Sequence, residues 1–186
     1  MMRMAVAVVL GGLTLLLLGG CSEGDDGVAV SELSAFLLQD DDVASVLPAL
    51  EPKSDYSTSE DYGVVREADL VGPTESAATG VVRQWSQDSR HASDGEAWTV
   101  VSSVFEFPSA ADAESAAKAV KALVGTEPVE VGDALVALTE PEEELSSGVV
   151  VLTRDSLMAT VEIGYVGEGD QQEVAALAEK AAARLG

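Results

Sequence analysis

One cysteine, one histidine, one isoleucine and no asparagine occur in 186 residues, and aromatic side chains make up only 4% of the chain. A single cysteine excludes an internal disulfide framework, and with one histidine beside it too few soft ligands remain for a zinc site. Phosphate-cradling loops are missing as well. The pairs Gly11-Gly12 and Gly19-Gly20 lie in an apolar N-terminal run, and "GEG" at 167–169 precedes a helical pattern without the lysine such a loop uses. No G-x-S-x-G elbow is present. Positive charge is scarce: 10 Lys and Arg face 33 Asp and Glu, for a formal net charge of −23. A field of that sign repels phosphate backbones and anionic membrane surfaces, so no nucleic-acid partner is expected, and the missing ligand and loop motifs leave no cofactor or metal expected either.

What is present begins with an address. Arg3 is followed by the uncharged run "AVAVVLGGLTLLLL" and then by Gly19, Gly20 and Cys21. That order matches the basic, apolar and small-residue parts of a signal peptide, and the run is short for a bilayer-crossing helix. A retained anchor helix is the alternative. Leu18, Gly19, Gly20 and Cys21 resemble the lipobox of a bacterial membrane lipoprotein. The resemblance implies diacylglyceryl transfer to the Cys21 sulfur and cleavage after Gly20. Residues 1–20 are then a signal peptide. Residues 21–30, the lipidated Cys21 and "SEGDDGVAV", form a flexible acidic tether, and residues 31–186 form one domain. Two or three acyl chains would anchor the chain firmly to the membrane.

The domain reads as α+β. "SELSAFLLQDDDVASVLPALEP" at 31–52 offers two short helical pieces, with Asp40 to Asp42 at the start of the second, where acids complement the helix dipole better than they fit a calcium loop. Residues 51–62 read as a loop. "YGVVREADL" at 62–70, "GVVRQWSQ" at 80–87 and "EAWTVVSSVFEF" at 96–107 read as strands, the last two joined through an Asp94-Gly95 turn. In the third, Trp98, Val100 and Val104 share one parity and Val101, Phe105 and Phe107 the other, which predicts two covered faces or a bulge near Ser102.

"PSAADAESAAKAVKALVG" at 108–125 is the clearest helix, with Ser109 as cap, Asp112 three residues on, and a stripe of Ala113, Ala116, Ala117, Val120 and Val124. "ALVALT", "GVVVLTR" and "SLMATVEIGY" predict three more strands, the last two joined tightly at Arg154-Asp155-Ser156. "DQQEVAALAEKAAARLG" closes the chain as a helix, with Asp170 and Glu173 spaced as a capping box. Strands grouped between helices predict a mainly antiparallel sheet of about five to six strands with helices packed on it.

The order of "LLQDDDVASVL", "VFEFPSAADAESAAKAV", "VGDALVALTE" and the "VVVLTRDSLMATVEIGY" to "EVAALAEKAAARL" ending resembles actinobacterial surface lipoproteins and extracellular sensor domains. These include the sensor domain of a mycobacterial Ser/Thr kinase and small PsbP-like lipoproteins. Kinase sensors of this type usually carry disulfide cysteines, which this chain lacks. The resemblance implies a non-enzymatic, lipid-anchored binding or sensor-like protein on the extracytoplasmic side of the cell membrane, with an unknown envelope protein or small molecule as partner. A carrier or chaperone of an apolar ligand is the alternative, and Trp85, Trp98 and Phe105 are the candidate lining of its pocket. His91, with Ser86, Asp88, Ser89 and Asp94 nearby, reads as part of a solvated connection, since neighbouring loop residues rarely converge as nucleophile, base and orienter. "EPEEEL" at 140–145 reads as another solvated connection.

Overall fold

A computed structural model describes residues 30–53, 79–88, 90–124, 129–131, 134–138 and 145–186. Cys21, its tether as far as Ala29, the strand expected at 62–70 and most of the 51–62 and 140–145 connections lie outside the described residues, and Val30, expected as the last tether residue, opens the first helix. The chain enters through α1 (Val30–Leu33), a 3-10 turn (Ser34–Phe36) and α2 (Asp40–Ala44). Strands β1 (Glu51–Pro52), β2 (Thr79–Ser86) and β3 (Ala97–Glu106) precede α3 (Ala110–Val124). Then come β4 (Val129–Val131), β5 (Ala134–Leu138), β6 (Leu145–Arg154), β7 (Leu157–Val166) and α4 (Gln171–Leu185).

The strands form one sheet in the order β1-β2-β3-β7-β6-β5-β4, antiparallel at every pairing. Its body is the five longer strands β2, β3, β5, β6 and β7, as the α+β reading expects, with two- and three-residue strands added at the edges. Helix α3 carries the chain from one half of the sheet to the other, and the meander β4 to β7 returns to pair β7 with β3 at the centre.

Two cores follow from this layering. On one face, Trp85, Val100, Val104, Val161, Ile163 and Tyr165 pack against α4 and the N-terminal helices through Val174, Leu177, Leu33, Leu37 and Leu38. On the other, Val82, Phe105, Phe107 and Met158 pack against Ala113, Ala116, Ala117 and Val120 of α3. The small residues of α3 let its backbone approach the sheet closely. Ser109 caps α3 as its position predicts: its hydroxyl accepts from the Asp112 amide at 3.2 Å and donates to the Asp112 carboxylate at 2.6 Å. Asp155, at φ 51°, turns the β6–β7 hairpin.

Both faces of β3 are covered, and the strand also carries an irregularity. It lies between Ala97 and Thr99 rather than near Ser102, because Trp98 is an extra residue that β7 does not match. The N-cap of α2 is Gln39, whose amide donates to Asp42 at 2.9 Å. In α4, Asp170 caps by accepting from the Gln172 amide at 2.7 Å, without the capping box that Glu173 would complete.

Candidate functional site

Strand alternation distributes the three aromatic residues expected to line a pocket. Trp85 is fully buried on the α4 side, and its indole N–H donates to Asp40 at 3.0 Å. Phe105 is fully buried on the α3 side. Trp98 is half-buried, and the bulge turns it away from Val100: its indole nitrogen lies 2.9 Å from the place a Cβ would occupy on Gly164. The neighbours of Gly164, Ile163 and Tyr165, face α4, so Trp98 lies on the opposite side. The three side chains are therefore not brought together around one cavity. The period of the strand showed the two faces, but a one-residue bulge is invisible to periodicity.

The acidic triplet also has specific work. Asp40 holds Trp85, and Asp42 accepts from Arg184 Nε at 2.8 Å as well as from Gln39, so α2 is clasped to both β2 and α4. Burial pushes the Asp42 carboxyl up, but hydrogen bonds from Arg184 and Gln39, with the charges of Arg184 and Lys180, outweigh it and hold the group below its ordinary value. His91 is exposed, its Nδ1 3.9 Å from Asp88, and Asp88 is taken by a bidentate contact from Arg90 at 3.0 and 2.6 Å. That turn presents no oriented base beside a nucleophile. Among the described residues, no three His, Cys, Asp or Glu side chains converge to hold a metal.

Polar groups do converge at one end of the sheet. There the start of β3, the start of β6, the end of β7 and the first turn of α4 meet. The Gly95 amide donates to the Val166 carbonyl at 2.7 Å, and the Val166 amide donates to the Glu96 carbonyl at 3.0 Å. Ser146 pairs with Tyr165, and Leu145 with Val166. Gly148 lets α4 close over β6, since a Cβ there would lie 2.5 Å from Val174 Cγ2 and 3.5 Å from the Tyr165 ring. Ser146 is two residues from Gly148 on the same strand and so faces the same layer as Tyr165 and Glu173.

Three buried side-chain atoms among the described residues lack a hydrogen-bond partner, namely Trp98 Nε1, Ser146 Oγ and Glu173 Oε2, and all three lie at this end of the sheet, Ser146 and Glu173 on the α4 face and Trp98 on the other. Buried polar atoms are nearly always satisfied, so their concentration at one place marks it. The Tyr165 hydroxyl donates to the Asp170 carbonyl across a long 3.4 Å. Burial, then the neighbouring charges of Glu173 and Asp170, hold the Tyr165 phenol far above its ordinary value. Burial first, and Asp170 second, raise the Glu173 carboxyl, with the nearby Tyr165 hydroxyl working against them.

Asp94, Glu96, Glu168 and Asp170 are exposed around this end, and residues 92–98, 145–148 and 164–176 contain no Lys or Arg. Leu145, 47% exposed, stands on the rim. Such an arrangement can accept hydrogen bonds and positive charge. It offers no activated nucleophile. No sequence motif announced it, because its members come from four elements.

A separate cavity of about 300 Å³ lies between the end of β6 and the last turn of α4, lined by Leu152, Thr153, Arg154, Ala182, Leu185 and Gly186. No described helix is long and apolar enough to cross a membrane.

No protein-family model and no curated protein matches the chain. Among solved structures, the chain is similar to the extracellular domain of PknH from Mycobacterium tuberculosis, with a TM-score of 0.56 and 15% identity, over 86% of this chain and 100% of that one. At that identity the likeness is one of fold. An actinobacterial extracellular domain thus shares the architecture, in keeping with the resemblance read from the order of the sequence elements.

Proposed function

We propose that the chain is a non-catalytic, sensor-like binding module, lipid-anchored at the extracytoplasmic side of the cell membrane. The observation that carries this reading is the fold held in common with an extracellular domain over that domain's whole length. The Leu18-Gly19-Gly20-Cys21 sequence supplies the anchor: a thioether-linked diacylglyceryl group on Cys21, with residues 22–30 as the tether. Strong negative charge keeps such a domain off an anionic headgroup surface, so its recognition surface stays available to an envelope protein or a small molecule. The occupied Asp88 and the exposed His91 favour binding over catalysis.

Carriage of an apolar ligand is the second reading, favoured by the cavity beside Leu152, Ala182 and Leu185. Against it, Trp85 and Phe105, the largest candidate lining residues, are consumed by packing.

Native mass spectrometry of protein recovered from its own membranes, with mapping of the N-terminal peptide, tests both. The expected result is a mature chain beginning at Cys21 and carrying diacylglyceryl. An unmodified Cys21 would remove the anchor, and a co-purifying apolar molecule would promote the carrier.

A further inference from the structure

We infer that the acidic end of the sheet is a binding site for an organic cation, an ammonium or guanidinium group held between Glu173 and Ser146. This rests on the binding-module reading and gives it a ligand class. Glu173 Oε2 and Ser146 Oγ are both buried without partners, Ser146 being only 4% exposed, and they face the same layer on either side of Tyr165. An ionised Glu173 accepts only, so what it lacks is a donor. An ammonium offers three N–H donors and a guanidinium five, enough to satisfy the carboxylate and the hydroxyl together.

Charge narrows the class further. Asp94, Glu96, Glu168, Asp170 and Glu173 surround the site without a Lys or Arg among the neighbouring segments, which repels anions and leaves a neutral donor unable to offset the field. A hard metal cation needs six or more oxygen ligands, and no three carboxylates converge among the described residues. Glu173 is half-buried on the first turn of α4, beside exposed Gln171 and Gln172, so its carboxylate lies close to solvent.

The test is an NMR titration of the isotopically labelled full chain with n-butylamine, with Nα-acetyl-lysine methylamide, and with n-butanol as uncharged control. Both cations should shift the amides of Ser146, Ser147 and Gln172 to Val174, and butanol should not. Replacing a charge-assisted hydrogen bond of ~1.5–3 kcal/mol predicts roughly 10- to 100-fold weaker binding in Glu173→Gln, an isosteric change that leaves packing alone. Glu114→Gln, on exposed α3 surface, should bind as the parent does. Equal affinity for the two cations supports the site with a free amine as its source. Tighter binding of the lysine derivative supports it with a partner's basic side chain as the source. Shifts spread over all acidic residues, or unchanged affinity in Glu173→Gln, would overturn the proposal. Lipid on Cys21 without these shifts would remove the ligand class alone, whereas the shifts without lipid would remove only the anchor.

Discussion

The two ends of the sheet are built from the same strands and have opposite character. At the hairpin end, the Phe107 amide donates to the Ser156 carbonyl at 2.9 Å, Ser109 and Asp112 close the start of α3, and Phe105 and Met158 are fully buried. At the acidic end, Trp98, Ser146 and Glu173 bury polar atoms without partners among uncompensated carboxylates. One end spends its residues on closure, the other holds unsatisfied groups in place. Unmet hydrogen-bonding capacity at the acidic end is maintained by a well-packed remainder, which is how binding sites are commonly supported.

Four experiments probe that contrast. The largest effect is expected from Phe105→Ala at the hairpin end, which empties a fully buried aromatic site and should cost ~3–5 kcal/mol in urea unfolding. A loss below about 1 kcal/mol would show that α3 collapses into the space. Next, Gly148→Ala places a methyl against stiff, β-branched Val174 and should cost ~1–3 kcal/mol by the same measurement. An unchanged midpoint would mean that the start of α4 is free to lift.

Two serines of nearly equal burial make the sharper pair. Ser102 Oγ accepts from the Leu38 amide at 3.2 Å, so Ser102→Ala strands a buried donor and should cost ~1–3 kcal/mol. Ser146→Ala removes a hydroxyl that has no partner and should change stability by ~0 to 1 kcal/mol, in the stabilising direction. Similar losses for both would refute the contrast between a satisfied and an unsatisfied serine.

The smallest effect is a pH slope of opposite sign at two carboxyls. The Asp42 pKa lies below its ordinary 3.8 in the folded chain, so its contribution is present above 3.8 and is lost as pH falls through the folded value. Glu173 lies above its ordinary 4.5, so the folded chain binds its proton more tightly and stability declines as pH rises from 4.5 through the folded value. Urea midpoints against pH should lose the acid-side decline in Asp42→Asn and the decline above 4.5 in Glu173→Gln. Parallel profiles for parent and Glu173→Gln would show that Glu173 ionises as freely in the folded chain as in the unfolded one.

Much of the fold was legible because it rests on local rules. The cap at Ser109, the alanine stripe of α3, the alternation of Leu157 to Tyr165 and the turn at Asp155 are each read within a dozen residues. The short strands β1 and β4 escaped notice, since two or three residues carry no period. The aromatic pocket failed as a grouping because Trp85 and Phe105 lie on opposite faces, and Trp98 is displaced by a bulge whose signal exists only in its pairing with β7. The acidic triplet looked like a helix cap, and its further contacts with Trp85 and Arg184 span 45 and 142 residues of chain.

By itself, then, the sequence determined the acidic field, the lone Cys21 at its apolar boundary, and the helices and hairpin whose capping and periodicity are local. Only the tertiary structure decided which polar groups are satisfied. Ser102 on β3 and Ser146 on β6 are the same residue in one sheet, yet one meets the Leu38 amide and the other meets nothing. Whether a buried hydroxyl has a partner depends on what the packing of distant segments brings within about 3 Å, and no local pattern encodes that.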